Sequence, residues 1–342
     1  MSKFRTSKKE LSTIELHNAG MPVRILIMPN IPGKNMVEKK EFCEENYDWI
    51  RKMLIFEPRG GSNYYGILVT SPSVDFADFG VLYMDAAGWH DMCGHASIGF
   101  ASYALEHKLI NVAEDRPEVV LDTPAGIVHL SADLDNGSVK QMHMINVPSF
   151  VTKTKITNLR KYGNINVTIA FGGDFYGIVD MDDLHLKWKP EVLPELIEIT
   201  KEIWNNFKNE QPIHPLDIHL KGLYGIRFSQ KVSQNPPQYY GILIFGSPER
   251  SLIDRSPSGT SSSAHLAYLY NLGKIDTQMD VEFLSAIDTK FIGRIQGIVK
   301  VGNYDAIVPE IKTEDKGYHL TGFATWIVDP DDSLGEGFLP LR

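Results

Sequence analysis

The chain of 342 residues predicts an α+β fold made of two similar units. Many short strand-like segments are separated by turn residues, while few stretches have the period of a helix. A short polar motif followed by an apolar helix also occurs once in each half, at Cys93 and at Ser258. This mixture of strands with a few helices is typical of α+β proteins.

The first half begins with two strands around a turn at Gly20. A helix with an apolar face follows, and the sequence EPRGG from Glu57 ends it. Further strands lead into the helix after Cys93 and continue beyond it. We expect strands at residues 12–29, 64–71, 79–85, 118–129 and 139–147, and a helix at residues 38–54.

The second half repeats this plan. Two strands flank Gly172 and Gly173, a helix follows, and two more strands precede the helix after Ser258. We expect strands at residues 166–171, 175–179, 223–228, 239–245, 281–284, 300–308 and 317–329, and a helix at residues 194–207.

Composition excludes several classes of protein. The net charge of −9 argues against nucleic-acid binding. No apolar run approaches the roughly 18 residues that cross a bilayer, and the N-terminus has no apolar signal segment. Cys43 and Cys93 lie in different contexts, which favours a reducing compartment over a disulfide framework. No histidines have a metal-ligand spacing such as HExxH. We expect a cytoplasmic protein with no nucleic-acid or membrane partner and no metal.

Cys93 precedes an apolar helix, and this position can activate a thiol. The first N–H groups of a helix have no internal partner, and the macrodipole places partial positive charge there. A thiolate at that position is stabilised, so its pKa can fall from about 8.5 toward neutrality. The alternative is a buried, inert cysteine, which is the usual state of a lone cysteine on an apolar helix.

Residues 254–264 match the Cys93 region in register. With Cys93 placed over Ser258, Gly94 lies over Gly259, and the offset is 258 − 93 = 165 residues, close to half of the chain. This spacing indicates a duplicated unit. Two helix N-termini can then face each other, with Cys93 and Ser258 on opposite sides of one small ligand.

The motifs MCGH at residues 92–95 and DRSPSGT at residues 254–260 resemble the paired motifs of the proline racemase family. That family has MCGH in its first half and DRSPCGT in its second. Similar segments include MDAAGW from Met84, GGDFY from Gly172 and TGFATWIVDPDDSLGEGF near the end, so the resemblance spans nearly the whole chain.

The resemblance implies the proline racemase fold, which is like that of diaminopimelate epimerase. Each of its two pseudo-symmetric units is a curved sheet around a central helix, and the C-terminal segment returns to the first unit. We therefore expect residues 1–155 and 325–342 to form the unit with Cys93, and residues 156–324 the unit with Ser258. The resemblance also implies a homodimer.

Ser258 departs from the family pattern, because racemases and epimerases have a second cysteine there. Racemisation needs a base on one face of the α-carbon and an acid on the other, and a serine hydroxyl is too weak an acid to mirror Cys93. The family also contains trans-3-hydroxy-L-proline dehydratases, in which a hydroxyl residue, usually threonine, stands at this position. A Cys-to-Ser change in a racemase would give the same sequence.

The favoured interpretation is dehydration of trans-3-hydroxy-L-proline to Δ1-pyrroline-2-carboxylate, with no cofactor. Cys93 is the expected base for the α-proton. Ser258 is expected to hydrogen-bond the departing hydroxyl or to position a water there.

The two helix N-termini are expected to bind the substrate carboxylate through the N–H groups of Gly94, His95, Gly259 and Thr260. By resemblance, His95 and Asp254 contact the ring nitrogen of the substrate. An aspartate favours a protonated ring amine, which acidifies the α-carbon.

Two other hypotheses stay open from the sequence. The protein is a proline racemase or hydroxyproline 2-epimerase, as a natural variant or a mutant, or it is a non-catalytic binder of proline or hydroxyproline. In a purely structural interpretation, His95 caps its helix and Asp254 pairs with Arg255 or a nearby N–H group.

Overall fold

The computed structural model describes residues 9–110, 117–246, 251–329 and 331–339. The first half contains β1 (Lys9–Asn18), β2 (Met21–Ile27), α1 (Met36–Asn46), α2 (Asp48–Ile55), β3 (Tyr65–Thr70), β4 (Phe79–Met84), β5 (Trp89–His90), α3 (Gly94–Glu106), β6 (Glu118–Thr123), β7 (Gly126–Asp135) and β8 (Ser138–Ile145). The rest contains β9 (Ser149–Leu159), β10 (Gly163–Phe171), β11 (Phe175–Asp180), α4 (Leu193–Phe207), β12 (Leu223–Gln234), β13 (Pro237–Phe245), β14 (Leu252–Ile253), α5 (Gly259–Asn271), β15 (Val281–Leu284), β16 (Lys290–Val301), β17 (Tyr304–Thr313) and β18 (His319–Val328).

The two halves have the same strand order. We call the two sets of strands, each with its buried helix, the first and the second lobe. In the first lobe, neighbouring strands follow the order β18, β1, β2, β3, β4, β6, β7, β8. Those of the second run β9, β10, β11, β12, β13, β15, β16, β17. The parallel pairs occupy the same places in both orders: β2 with β3 and β4 with β6 in the first lobe, and β11 with β12 and β13 with β15 in the second. The other neighbouring pairs are antiparallel. This repetition confirms the predicted duplication.

The lobes differ in how their sheets end. In the second lobe β17 pairs with β9, so its eight main strands form a closed ring. In the first lobe the equivalent strand, β8, pairs with β17 instead and joins the two lobes. The C-terminal strand β18 lies along β1 and completes the first sheet. The predicted domain boundaries fall inside β9 and β18, and the division itself stays a prediction.

One buried helix lies inside each lobe. α3 packs against β1, β2, β3, β6, β7 and β8, and α5 packs against β9, β10, β11, β16 and β17. Small side chains allow the strands to approach closely. At Gly99, for example, a Cβ atom would lie 2.9 Å from the Leu16 side chain. Among the described residues, no helix has the length and apolar character needed to cross a membrane.

Most predicted elements are present, with ends that differ by a few residues, but two predictions are wrong. The predicted helix at 38–54 is two helices, because Tyr47 between them has a non-helical backbone (φ −125°, ψ 11°). The predicted strand at 300–308 spans a hairpin of β16 and β17 that turns at Gly302, where φ is +56°. The strand β9, which contains the predicted domain boundary, was not itself predicted.

Candidate active site

Cys93 lies at the N-terminus of α3. It is the N-cap residue and has an extended backbone (φ −145°, ψ 112°). Its carbonyl accepts hydrogen bonds from the Ser97 N–H at 3.0 Å and from the Ser97 hydroxyl at 2.8 Å. The Tyr83 hydroxyl bonds to the Ser97 hydroxyl at 2.6 Å. These contacts fix the backbone from which the thiol projects.

Ser258 lies at the equivalent N-terminus of α5, with a backbone that is unusual for serine. Its φ is +62° and its ψ is 113°, and its hydroxyl accepts from the Ser261 N–H at 3.3 Å. The preceding carbonyl, of Pro257, accepts from Nη1 of the fully buried Arg227 at 3.0 Å and from the Ser262 hydroxyl at 2.8 Å. Because a positive φ is strained outside glycine, these bonds hold Ser258 in place.

The two helix N-termini meet at a pair of glycines. A Cβ atom on Gly94 would lie 2.6 Å from the Cα of Gly259, and one on Gly259 would lie 2.8 Å from the Cα of Gly94. Only glycine permits this approach. The register predicted from the sequence, with Gly94 over Gly259, thus corresponds to direct contact.

His95 lies between the thiol and the Asp254 carboxylate. Its Nδ1 is 3.2 Å from the Cys93 sulfur and 3.9 Å from Asp254 Oδ2. The other oxygen, Oδ1, accepts from the N–H and the hydroxyl of Ser256, both at 2.8 Å. Burial lowers the pKa of His95 more than Asp254 raises it, so the imidazole is neutral at neutral pH. The Ser256 contact matches the structural interpretation of Asp254, while Oδ2 faces His95.

Burial raises the pKa of the Cys93 thiol well above its ordinary value. The Ala96 N–H and the Tyr65 hydroxyl lower this pKa, while the Asp254 charge raises it further. The expectation of a lowered thiol pKa is therefore wrong for this closed pocket, because the loss of water outweighs the helix N-terminus. Cys43 is buried in α1, where burial raises its pKa to about 12, as expected of an inert cysteine.

A pocket of about 10 Å³ lies between the two N-termini, with room for one water molecule. Five predicted site residues line it, while Gly94 and Gly259 contact each other. The lining residues that were predicted are Cys93, His95, Asp254, Ser258 and Thr260. Because the pocket holds little more than a water molecule, it must widen to admit any larger ligand.

Sequence interpretation missed six residues that line the pocket: Tyr65, Met92, Tyr176, Tyr224, Leu243 and Phe245. Tyr65, Tyr176 and Tyr224 share a sequence pattern. Each is a tyrosine followed by glycine near the start of a strand, in β3, β11 and β12 respectively. The sequence predicts strands at these positions but does not assign them to the site. The Tyr176 hydroxyl bonds to the Thr260 hydroxyl at 2.6 Å, which ties β11 to the first turn of α5.

A larger cleft of about 360 Å³ adjoins this pocket, and Tyr224 lines both. Its walls are charged: Lys40 pairs with Asp91, and His219 Nδ1 lies 3.4 Å from Glu41 Oε1. The cleft therefore places charged side chains beside Tyr224.

Comparison with known proteins places this geometry in a family. The family model described as Proline racemase matches residues 13–339. The chain belongs to the proline racemase family. The proline racemase of Acetoanaerobium sticklandii is 34% identical over 337 residues, which cover 96% of this chain and 98% of that protein.

Another family member, the trans-3-hydroxy-L-proline dehydratase of Bacillus cereus, is 34% identical over 334 residues, 97% of this chain and 98% of that protein. The crystal structure of a hydroxyproline epimerase from Agrobacterium vitis with bound trans-4-hydroxy-L-proline has a TM-score of 0.89 and 25% identity, covering 97% of this chain and 95% of that one. These matches confirm the proline racemase fold. Since a racemase and a dehydratase are equally similar, identity does not separate the two reactions.

Proposed function

We propose that this chain dehydrates trans-3-hydroxy-L-proline to Δ1-pyrroline-2-carboxylate. The observation that carries the proposal is the unequal pair at the pocket, a thiol at Cys93 and a hydroxyl at Ser258. Racemisation needs proton exchange with carbon on both faces, and a serine hydroxyl is too weak an acid for the second face. Elimination needs one base at the α-carbon, which Cys93 supplies.

The two helix N-termini support the proposed carbanion chemistry. Removal of the α-proton sends negative charge into the substrate carboxylate, where it must be stabilised. The first N–H groups of α3 and α5, at Gly94, His95, Gly259 and Thr260, have no helical partner. In our proposal they bind the carboxylate and strengthen their hydrogen bonds as the charge grows.

His95 and Asp254 are proposed to bind the ring nitrogen. Both line the pocket, and the neutral imidazole lies between the carboxylate and the thiol. A carboxylate near the ring nitrogen favours the protonated amine, and this positive charge makes the α-proton more acidic. The raised pKa of the thiol makes such activation of the substrate important, because little thiolate is present at neutral pH.

The stereochemistry of trans-3-hydroxy-L-proline limits the role that Ser258 can have in the reaction. In trans-3-hydroxy-L-proline the hydroxyl lies on the ring face opposite the carboxylate, which is the face that bears the α-hydrogen. If Cys93 removes this hydrogen, the departing hydroxyl is on the Cys93 side, which argues against the expected hydrogen bond from Ser258 to that hydroxyl. We propose that Ser258 occupies the opposite face without a sufficiently acidic proton, so that the carbanion eliminates hydroxide and is not protonated with inversion.

Proton NMR in deuterated buffer tests the proposal with trans-3-hydroxy-L-proline, L-proline and trans-4-hydroxy-L-proline. We expect conversion of the 3-hydroxy substrate to Δ1-pyrroline-2-carboxylate, and loss of this conversion in Cys93→Ala. Inversion of L-proline or of the 4-hydroxy compound, with deuterium at the α-carbon and no dehydration, would instead establish a racemase or epimerase. Binding without turnover of any of the three would establish a binder.

The location and the assembly are part of the same proposal. We propose that the protein is cytoplasmic, because its two cysteines are free and buried. From the family resemblance we also propose a homodimer. The proposed reaction uses no cofactor. Sedimentation equilibrium of the purified protein tests the dimer, and a monomer at micromolar concentration would exclude it.

A further inference from the structure

The Tyr65 hydroxyl is a buried hydrogen-bond donor that faces the catalytic pocket. Tyr65 begins β3, is 1% exposed and lines the pocket with Cys93 and His95. Its ring meets the His95 ring edge-on, with the centroids 5.0 Å apart. Among the described residues, no nitrogen or oxygen atom forms a hydrogen bond with its hydroxyl.

Other buried tyrosines near the site do not share this property. The Tyr83 hydroxyl is paired with Ser97 at 2.6 Å, and the Tyr176 hydroxyl is paired with Thr260 at 2.6 Å. A buried hydroxyl without such a partner is rare, because burial removes its water and nothing replaces it. A donor left in this state at the wall of a pocket indicates that the ligand supplies the partner.

The contacts of Tyr65 show which side of the pocket it occupies. It lines the pocket beside Cys93, and its ring contacts the ring of His95, two residues after Cys93 on α3. Tyr65 is therefore on the side from which Cys93 would remove the α-proton. On this side lies the 3-hydroxyl of a trans-3-hydroxy-L-proline substrate, because that hydroxyl and the α-hydrogen share one face of the ring.

We propose that Tyr65 binds the ring 3-hydroxyl of the substrate and makes the site selective for a 3-hydroxylated imino acid over proline. This inference rests on the proposed function. The carbon skeleton of proline fills the same pocket, but proline has no oxygen at carbon 3 and leaves the donor unpaired. A site built to hydrogen-bond a substrate hydroxyl rejects the analogue that lacks it.

The same contact assists elimination. The Cys93 thiolate takes the α-proton, and the electron pair of the C–H bond forms the double bond between carbons 2 and 3 as the C3–O bond breaks. The departing hydroxide takes the proton now held by the Cys93 thiol and leaves as water, which restores the thiolate. Tyr65 donates a hydrogen bond to the oxygen throughout and keeps its own proton, since its burial disfavours the phenolate.

The variant Tyr65→Phe tests the inference, because it removes one oxygen and keeps the ring. Two quantities are measured on the full-length protein: kcat/KM for trans-3-hydroxy-L-proline, and the inhibition constant of L-proline as a competitive inhibitor. We expect kcat/KM to fall by about 10- to 100-fold, as for the loss of one strong hydrogen bond in the transition state. The inhibition constant of L-proline should change by less than about threefold, since proline has no oxygen to pair with Tyr65.

Tyr318→Phe is the matched control, because it removes a buried tyrosine hydroxyl that donates to Glu106 at 2.6 Å, at the end of α3 remote from Cys93. It should leave the ratio of the two quantities unchanged. An equal loss for both ligands in Tyr65→Phe, or no loss for either, would overturn the role of Tyr65 while the proposed function stands. If the wild-type protein fails to dehydrate the 3-hydroxy substrate, the proposed function falls and this inference falls with it.

Discussion

Replacing Gly94 with alanine tests whether contact between the two helices sets the geometry of the site. A Cβ atom at Gly94 would lie 2.6 Å from the Cα of Gly259, in the rigid backbone of α5. Carbon atoms in contact are about 3.5 to 4.0 Å apart, so the helix N-termini must separate by about 1 Å. Overpacking of this kind destabilises a core by about 1–3 kcal/mol. A shift of about 1 Å at a reacting group costs about 100-fold in rate.

Urea unfolding and kcat/KM measure the two effects of Gly94→Ala separately. We expect the free energy of unfolding to fall by about 1–3 kcal/mol and kcat/KM by about 100-fold. Gly88→Ala is the control in the same lobe, because a Cβ atom there meets nothing within 4 Å. If Gly94→Ala matches the wild type in both measurements, the helix contact does not determine the position of Cys93 relative to Ser258.

Three further predictions concern the second face of the pocket, the thiol and the join between the lobes. Ser258→Cys supplies an acid on the second face, so inversion of L-proline should rise by about 100-fold or more, as measured by chiral chromatography; an unchanged rate would contradict the proposed role of Ser258. Because burial raises the pKa of the Cys93 thiol, kcat/KM should rise by about tenfold per pH unit from pH ~6 to pH ~8, and a flat profile would argue against a thiolate base. Glu310→Gln should lower the free energy of unfolding by about 1–3 kcal/mol near pH 6, because Glu310 Oε1 lies 3.0 Å from His143 Nδ1. Burial raises the pKa of Glu310, but hydrogen bonds from His143 and Gln296 outweigh burial and lower this pKa to about 2. The difference in urea stability between the wild type and Glu310→Gln should therefore shrink as the pH falls from 4.5 toward 2. The pKa of His143 is raised. The contribution of the protonated imidazole to the free energy of unfolding is therefore complete below pH 6.5 and is lost as the pH rises above that value. A difference that stays constant with pH would refute the ion pair.

The repeat and most elements could be predicted from the sequence because each half alternates short apolar strands with clear turns. The missed start of β16 has a tertiary cause. Gly293 and Gly297 interrupt the apolar alternation of β16, and the first glycine is needed because a Cβ atom there would lie 2.8 Å from Leu266 on α5. Such a contact joins distant parts of the chain, so local periodicity does not predict it.

The motifs at Cys93 and Ser258 predicted five of the eleven residues that line the pocket, because both motifs are long and specific. The three tyrosines were missed, since an aromatic residue at the start of an apolar strand looks like core. The pKa of Cys93 was predicted with the wrong sign for this closed pocket. The helix N-terminus can be inferred from sequence, whereas the extent of burial depends on how both lobes close over the thiol.

The return of β18 to β1 affects how the protein is made. The strands of the closed ring, β9 to β17, have all been synthesised by residue 313, before β18 begins at His319. Until β18 emerges from the ribosome, one edge of β1 lacks its strand partner, and such an edge can pair with another chain. The lobe that carries the thiol is therefore encoded first but finished last, because its sheet needs β18 from the C-terminal end of the chain.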